Sequence, residues 1–298
     1  MESGESLVLN GKPSRTVRLK ISPKADFREI LHTLGEITIP TTRVSDENIR
    51  FAILELLNNS IRAHREKGEA RDICLDLTVT DGRLVIAIRD FGGGFNPEKL
   101  PYDLYADPTT LDLRSHAFEE YQKANGYKRF GMGIYVAKKT FEDFRLVFLD
   151  GMDRPASWMP GRVIGTLITL SVKWMRSNRW RLERPMGAEH RQQPRVSGYA
   201  KALLVGPNIP GYIRDLSRTG CQVAFVQAVS AAAGDLIKVR VIDEHDPSIP
   251  QFDIDLRVRR VQPDALWCVL GGEIEAVSGN EDENVFTKLV EYYAGSGS

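Results

Sequence analysis

The sequence predicts an α+β two-layer sandwich followed by a small antiparallel β-barrel with a C-terminal helix. Three observations predict this class. In the first half of the 298 residues, helical patterns are interleaved with paired strands and do not alternate with single ones. In the second half, short strand patterns are separated regularly by turn residues. Between the halves, basic residues accumulate and indicate a linker, so we expect domains at 1–172 and 191–294 joined at 173–190.

The composition is that of a globular protein and argues against several function classes. The 40 basic residues balance the 40 acidic ones, so we expect no nucleic acid partner. The 3 cysteines are scattered and lack a C-x-x-C pair, which argues against a disulfide framework and a zinc site. Apolar runs fall short of the roughly 20 residues that span a bilayer, and no secretory signal is evident. We therefore expect a cytoplasmic protein without membrane contact.

Hydrophobic periodicity predicts the elements of the first half. Apolar residues recur at helical spacing through 46–63, where Ser45 or Asp46 can cap the N-terminus. Strand patterns at 73–79 and 84–88 flank Asp81-Gly82, a dipeptide typical of a β-hairpin. The other elements expected here are an edge strand within 7–19, helices at 25–34 and 133–141, and strands at 145–149 and 163–171.

Residues 92–130 form the one long segment of the first half without regular patterning. They are polar and punctuated by glycine and proline, with a single helical patch at 115–123. Loops of this length within a compact domain are usually functional or disordered. We call this segment the lid. In the second half, strands are expected at 198–205, 220–226, 236–242, 252–261 and 265–275, with a final helix at 285–293.

Three polar side chains share one face of the predicted 46–63 helix. Glu55, Asn59 and Arg62 follow one another at i, i+4 and i+7, opposite the apolar row. A solvated polar face is the more frequent meaning of such a pattern. The glycine-rich segments that follow in the sequence favour a binding site instead.

These later segments are suited to hold a nucleotide. The strand at 84–88 leads into Asp90-Phe91-Gly92-Gly93-Gly94, where a carboxylate can accept a hydrogen bond from an exocyclic amine. Gly131-Met132-Gly133 opens a helix whose free N–H groups attract phosphate. Gly165-Thr166 then begins a strand. Four elements in this order predict one composite site.

The series resembles the GHKL ATPase superfamily, which has the Bergerat fold, over roughly residues 10–172. The resemblance implies that ATP and Mg²⁺ bind here. Asn59 would hold Mg²⁺ and contact ATP together with Arg62, Asp90 would bind adenine, and Glu55 would be the catalytic base. The remaining ATP-binding residues that the resemblance implies are Gly92, Gly94, Gly131, Gly133 and Thr166.

Within that superfamily, the run from Leu54 to His64 is similar to the N-box of the anti-sigma-factor serine kinases. This resemblance implies a serine/threonine protein kinase. It further implies a partner protein, either a sigma-factor regulator or a substrate like an anti-sigma antagonist, and homodimerisation.

A second set of residues predicts a separate anion site. Arg191 and Arg195 lie four apart ahead of a strand, and guanidinium groups bind phosphate and stack on purines. Asp215, Ser217 and Gly220 follow in what we expect to be a turn between strands. A solvated basic linker is the common meaning of such arginines taken alone.

The joint R-x-x-x-R and D-x-S-x-x-G pattern resembles that of PilZ domains, over about residues 185–293. The resemblance implies that these five residues bind cyclic di-GMP. Two hypotheses follow for the whole chain. It is a kinase whose activity cyclic di-GMP controls, or it is a non-catalytic ATP-bound adaptor that sequesters a partner according to the level of cyclic di-GMP.

Overall fold

The computed structural model describes residues 6–9, 11–39, 42–125, 131–174, 195–263, 266–279 and 284–295. These residues divide into two compact units. The first comprises Met1–Asp112 and Gly131–Leu182, and the second comprises Leu113–Phe130 and Glu183–Ser298. Among the described residues, no helix is both long enough and apolar enough to cross a membrane.

The first part of the chain contains eight strands and four α-helices among its described residues. In chain order they are β1 (Leu7–Leu9), β2 (Lys12–Ser14), β3 (Thr16–Ile21), α1 (Phe27–Glu36), α2 (Asp46–Lys67), β4 (Ile73–Thr80), β5 (Arg83–Arg89), α3 (His116–Ala124), α4 (Gly133–Thr140), β6 (Asp143–Asp150), β7 (Pro155–Ala156) and β8 (Val163–Lys173). Two 3-10 helices, Pro97–Lys99 and Pro108–Thr110, lie within the lid.

The first unit is the predicted two-layer α+β sandwich. Six strands form one antiparallel sheet in the order β3-β4-β5-β8-β6-β7. Along β4 and β5 buried side chains alternate with partly exposed ones, as expected for a sheet with one face covered by helices. The turn between these strands has positive φ at Asp81 and Gly82, 47° and 71°. The predicted hairpin is therefore confirmed.

Two boundaries differ from those expected. The single edge strand expected within 7–19 is a β1–β2 hairpin followed by β3, because Gly11 has a φ of 73° and reverses the chain. Helix α2 continues four residues past the expected end and stops at Gly68, whose φ of 71° is the left-handed cap of a helix. Those four residues add little to the apolar periodicity, which is why the sequence places the end too early.

The polar face of α2 is partly covered, in contrast to the solvated face usual for such a pattern: Glu55 is buried, and Asn59 and Arg62 are partly exposed. This helix packs against α4 as well as against the sheet. As a result Glu55 and several uncharged polar residues of α2 are buried together with its apolar row. The buried polar side chains of α2 are Asn48, Glu55, Asn58, Ser60 and His64.

The second unit contains the predicted antiparallel barrel and C-terminal helix. Its later elements are β9 (Val196–Ser197), β10 (Lys201–Leu204), β11 (Ile209–Ser217), β12 (Gly220–Phe225), β13 (Leu236–Ile242), β14 (Phe252–Pro263), β15 (Cys268–Ser278) and α5 (Val285–Ala294). The sheet order is β10-β13-β14-β15-β12-β11, and a further β10–β11 pairing closes it into a six-stranded ring. Strand β9 pairs with the outer part of β11. The largest buried side chains of this unit include Tyr199, Tyr212, Phe225 and Phe252.

One strand of this barrel was not expected. The sequence predicts a turn around Asp215 and Ser217, whereas both residues lie on strand β11, and the turn is confined to Arg218 and Thr219. Pro210 and Gly211 near the start of β11 are typical of loops and obscure its pattern. The prediction of a turn at Asp215 was therefore wrong, and this part of the candidate site is more regular than expected.

Candidate functional site

In the first unit, the carboxylate of Asp90 is fixed from three directions at the end of β5. Its Oδ1 accepts a hydrogen bond from the Gly92 amide at 2.9 Å. Its Oδ2 accepts one from the Thr166 hydroxyl and one from the Ser60 hydroxyl, the latter at 3.4 Å. The structure thus brings Asp90 and Thr166 together. Ser60 has no predicted role, although it lies only one residue beyond Asn59.

The backbone repeats this pairing. The Asp90 amide donates to the Thr166 carbonyl at 3.0 Å, and the Thr166 amide donates to the Asp90 carbonyl at 3.3 Å. Asp90 is only 5% exposed, so its orientation is held by main chain and side chain together. A buried carboxylate with a fixed direction can select a ligand that presents an N–H group, such as the exocyclic amine of adenine. Gly94, at the start of the lid, has a φ of 69°.

At the other end of this site, helix α4 begins directly over the polar face of α2. A Cβ atom placed on Gly133 would lie 2.6 Å from Asn59 Nδ2 and 3.1 Å from Glu55 Oε2. Gly131, two residues earlier, has a φ of 73°. The N-cap residue Met132 makes no side-chain capping bond, so the first amides of α4 are not satisfied by that side chain. The structure therefore places Glu55, Asn59 and the second glycine loop in contact.

Arg62 already has a partner on the same helix. Its guanidinium donates to Asn59 Oδ1 at 2.7 Å. That oxygen is the atom with which an asparagine would coordinate Mg²⁺, a cation that prefers oxygen ligands. The residue types present fit a magnesium-bound nucleotide. A cation bound at Asn59 Oδ1 would lie close to the positive charge of Arg62, and a phosphate would offer its guanidinium an alternative acceptor.

The glycine loop after Asp90 is tied to the end of α2. The Phe91 amide donates to His64 Nε2 at 2.7 Å, and Lys67 Nζ donates to the Phe91 carbonyl at 3.3 Å. Burial lowers the pKa of His64 below its ordinary value. No spacing rule singles out His64, because its partner lies 27 residues further along the chain.

Lys138 of α4 attaches the early part of the lid to that helix. Lys138 Nζ donates to the Leu104 carbonyl at 3.0 Å and also to the Ala106 carbonyl. The predicted helical patch of the lid is α3, in which Phe118 and Gln122 are buried. Lys138 lies on the same helix that opens at Gly133, so the early lid and the second glycine loop are mechanically connected.

In the second unit, four of the five predicted anion-binding residues lie close together. Arg195 immediately precedes β9, and its guanidinium donates to Asp215 Oδ1 at 2.7 Å. Asp215 is opposite Ser197 in the β9–β11 ladder. Arg195 lies two residues before Ser197, which brings its side chain to that of Asp215. Arg191 lies outside the described residues.

The turn that follows β11 is equally constrained. The Ser217 hydroxyl donates to the Gly220 carbonyl at 3.2 Å, and Ser217 is buried. A Cβ atom on Gly220 would lie 2.5 Å from the Gly272 carbonyl of strand β15, so only glycine fits there without movement. Asp215 and Ser217 are two apart on β11 and therefore face the same way. Together with Arg195 they offer a cation, a carboxylate and a hydroxyl at one edge of the barrel.

Two sequence profiles of known families match separate parts of the chain. A sequence profile of the family described as "Histidine kinase-like ATPase domain" matches residues 22–147, and a profile of the family described as "PilZ domain" matches residues 188–291. The first match contains Glu55, Asn59 and Asp90. The second contains all five residues of the predicted cyclic di-GMP site.

More distant likenesses were also found. The sensor protein BceS of Halalkalibacterium halodurans is 29% identical over 94 residues, which are 32% of this chain and 24% of that protein. The chain thus spans about a quarter of the length of this curated relative.

Two solved structures also resemble the chain. The inhibitor of motility MotI/DgrA of Bacillus subtilis is 14% identical, with a TM-score of 0.28 over 76% of this chain and 88% of that one. YcgR of Escherichia coli, in complex with c-di-GMP, is 12% identical, with a TM-score of 0.24 over 80% and 87%. Neither likeness is close enough to support a statement about fold or function. The two profile matches show a histidine kinase-like ATPase domain of GHKL type over residues 22–147 and a PilZ domain over residues 188–291, fused in one chain.

Proposed function

We propose that this chain is a signalling protein that binds ATP in its first unit and cyclic di-GMP in its second, and that cyclic di-GMP controls an anti-sigma-type serine/threonine kinase activity. The observation that carries the proposal is the arrangement of the first site. A buried, fixed carboxylate at Asp90 stands at one end, and the start of α4 lies over Glu55 and Asn59 at the other. These ends suit adenine and phosphates respectively.

The proposed phosphoryl transfer assigns a task to each residue of α2. When bound, Mg²⁺ neutralises charge on the phosphates. Asn59 offers its Oδ1 as a ligand, and Arg62 exchanges that oxygen for a phosphate oxygen. As the hydroxyl oxygen of the substrate forms a bond to the γ-phosphorus, the bond to the β-phosphate oxygen breaks and ADP leaves. Glu55 accepts the hydroxyl proton, and its 6% exposure keeps bulk water from competing for that role.

Cyclic di-GMP would bind at Arg195, Asp215, Ser217 and Gly220, with Arg191 as the second guanidinium. The 2.7 Å pair between Arg195 and Asp215 supports this proposal because it presents both groups in a defined orientation before the ligand arrives. The remaining N–H groups of Arg195 can bind a phosphate of the ligand, and its flat face can stack on guanine.

The division of the chain supports coupling between the two nucleotides. Residues 113–130 belong to the second unit, yet they are flanked in sequence by Asp112 and Gly131 of the first. Gly131 begins the second glycine loop of the ATP site. A change in the second unit on cyclic di-GMP binding would therefore reach the ATP site through the continuous backbone of the lid.

The partner of the kinase is proposed from the N-box alone. We propose a sigma-factor regulator or an anti-sigma-antagonist-like substrate, and a homodimer formed through the ATP domain, in the cytoplasm. The proposed partner and homodimer rest on the similarity of the run from Leu54 to His64 to the anti-sigma-factor serine kinases. The proposed location rests on the apolar runs of the sequence, which fall short of a membrane span.

One observation favours a second candidate function, a non-catalytic adaptor that holds ATP and sequesters a partner. The Asn59 oxygen needed for Mg²⁺ accepts a hydrogen bond from Arg62 in the structure. If this bond persists when ATP binds, the positive charge of Arg62 disfavours Mg²⁺ at that oxygen, and the nucleotide is held without phosphoryl transfer. Glu55 would then have no proton to accept.

Calorimetry on the full chain tests the proposal. ATP with Mg²⁺ is titrated with and without saturating cyclic di-GMP, into the wild type and the Asp90→Asn and Asp215→Ala variants. We expect binding of both nucleotides, a several-fold change in ATP affinity with cyclic di-GMP, and the same factor in the reverse titration. The Asp90→Asn variant should lose only the binding of ATP, and the Asp215→Ala variant should lose only the binding of cyclic di-GMP. The absence of ATP binding by the wild type would refute the kinase and leave a cyclic di-GMP adaptor.

Replacing the proposed base separates the two candidates. A kinase loses ATP turnover in Glu55→Ala and retains ATP binding. An adaptor has no turnover to lose, and its variant binds ATP and partner as the wild type does. Release of ADP by the full chain with Mg²⁺ is the readout, because water can replace the substrate hydroxyl as the phosphoryl acceptor while the substrate protein is not known, and Glu55 would then accept the proton of that water.

A further inference from the structure

Helix α2 carries a buried histidine for which the proposed phosphoryl transfer has no use. His64 has no exposed surface and lies in the last turn of the helix. Its Nε2 accepts the Phe91 amide at 2.7 Å. Among the described residues, Nδ1 has no partner in hydrogen-bond geometry, although the backbone of Arg71 lies near enough to favour the charged ring. The ring therefore makes one well-defined polar contact, and that contact is to the adenine loop.

This contact fixes the peptide bond that follows Asp90. The Asp90 carbonyl accepts from the Thr166 amide at 3.3 Å, and the Phe91 N–H of the same peptide donates to His64. Both polar ends of this planar unit are thus held from opposite sides. Rotation of that peptide would move the Asp90 carboxylate, whose direction selects the ligand.

The packing around the loop leaves no room for a side chain at Gly92. A Cβ atom on Gly92 would lie 2.5 Å from the Ala63 Cβ and 3.2 Å from the His64 amide nitrogen. The rings of His64 and Phe91 also meet edge to face, with centroids 6.4 Å apart. The glycine loop therefore rests directly on the last turns of α2.

The hydrogen bond requires one protonation state. An Nε2 atom that accepts must carry its lone pair, so the ring is neutral and its proton is on Nδ1. A charged imidazolium would turn an N–H toward the Phe91 N–H, and two donors would face each other. The charged groups that act on the ring are Asp90 and Glu69, which favour its charged form, and Arg71, which opposes it. Burial outweighs them and lowers the pKa of His64, so the ring is neutral at pH 7.

We propose that His64 is a positioning residue for the adenine end of the ATP site, and that only its neutral form holds Asp90 in the binding orientation. This inference rests on the proposed binding of ATP. It predicts that ATP affinity falls in acid as His64 becomes protonated, below the ordinary histidine pKa of about 6.5.

Two substitutions separate the effect of the hydrogen bond from Phe91 to His64 from the effect of protonating the His64 ring. In His64→Gln, the side-chain oxygen can take the place of Nε2 as acceptor, and it does not titrate. In His64→Leu, no acceptor remains and the Phe91 amide is buried without a partner. His32→Gln is the matched control, because His32 belongs to the same unit but is 78% exposed and pairs only with Glu36 among the described residues.

The test is calorimetry of the full chain with ATP and Mg²⁺ between about pH 5.5 and 7.5. At the upper pH we expect His64→Gln to bind within about twofold of the wild type and His64→Leu about tenfold more weakly. Toward the lower pH the wild type and His32→Gln should lose affinity, and His64→Gln should lose only the part due to protonation of ATP itself. Parallel profiles for the wild type and His64→Gln would overturn the inference, and this comparison stands even if His64→Leu does not fold.

A second readout does not depend on nucleotide. The ¹⁵N chemical shifts of the His64 ring in the free protein should report a neutral imidazole protonated on Nδ1 at about pH 7.5. A ring protonated on Nε2, or a charged ring, would overturn the inference while leaving ATP binding intact. If the wild type bound no ATP at any pH, the proposed function would fail as well, so the two failures are distinguishable.

Discussion

Gly133 lies so close to Asn59 that the first residue of α4 and the polar face of α2 are in direct contact. The position that a Cβ would occupy on Gly133 is 2.6 Å from Asn59 Nδ2 and 3.1 Å from Glu55 Oε2. Any side chain there must displace the residues proposed to bind Mg²⁺ and the substrate proton. The glycine is required by this approach and not by its backbone conformation, since its φ is not positive.

Gly133→Ala is therefore expected to disturb the phosphate end of the site more than the fold. The Asn59 and Glu55 side chains can rotate away, at a stability cost of about 1–3 kcal/mol. Affinity for ATP with Mg²⁺ should fall by about tenfold or more because Asn59 no longer presents its oxygen. Calorimetry measures this loss. Gly35→Ala is the control, because nothing lies within 4 Å of a Cβ on Gly35. Equal affinities for the two variants would contradict the proposed site.

Glu55→Gln should separate binding from chemistry. The amide keeps the shape of the carboxylate, and Glu55 lies beside the start of α4, so the contact should survive. It cannot act as a base, so ADP release should fall by about 10²–10⁴-fold, while ATP affinity changes by less than about threefold. Steady-state release of ADP and calorimetry on the same preparation give both values. Unchanged turnover would remove Glu55 from the mechanism.

Asp215→Asn tests the candidate cyclic di-GMP site. Loss of the carboxylate removes the 2.7 Å partner of Arg195, whose guanidinium is then no longer held in its observed orientation. The pair is partly exposed, so the stability change should stay within about 1 kcal/mol. Affinity for cyclic di-GMP should fall by about tenfold or more.

Asp253→Asn is the control for that measurement. Asp253 also pairs with an arginine, Arg240, at 2.8 Å on strands of the same barrel. The Asp253→Asn substitution should leave the affinity for cyclic di-GMP unchanged. If both variants lost affinity to the same extent, general weakening of the barrel would explain the result and the site assignment would fail.

The elements that follow from local periodicity were predictable, and those set by distant contacts were not. The row of apolar residues on α2 and the turn at Asp81-Gly82 depend on residues that are close in the sequence, and both were predicted correctly. Strand β11 was missed because Pro210 and Gly211 resemble a loop, and its place in the barrel depends on pairing with β10 and β12.

The same distinction applies to the site. The spacing of Glu55 and Asn59 places them on one face of a helix, and the sequence could predict this. Ser60 contacts Asp90, 30 positions away, and His64 contacts Phe91, 27 positions away. No local sequence pattern could therefore predict these contacts. The bond from Arg62 to Asn59 joins near neighbours, but many side-chain rotamers are compatible with that spacing.

The docking of α5 on the barrel provides the last prediction. The Tyr293 hydroxyl donates to Asp243 Oδ1 at 2.8 Å, and Asp243 also accepts from the amides of His245 and Asp246. Burial raises the pKa of Asp243 despite these bonds. Because the folded-state pKa is raised, ionisation of Asp243 costs stability as the pH rises through it, and the tyrosine hydroxyl offsets part of that cost.

Tyr293→Phe should therefore destabilise the attachment of α5 by about 1–3 kcal/mol at a pH above the folded-state pKa of Asp243, where the carboxylate is charged, and by less at a pH below it. Amide hydrogen exchange of α5 in the full chain measures this local opening at each pH. Asp243→Asn and the double variant complete a cycle that isolates the interaction of the two side chains. Additive effects of the two substitutions, or a loss that grows as the pH falls, would show that the hydroxyl does not stabilise the charged carboxylate.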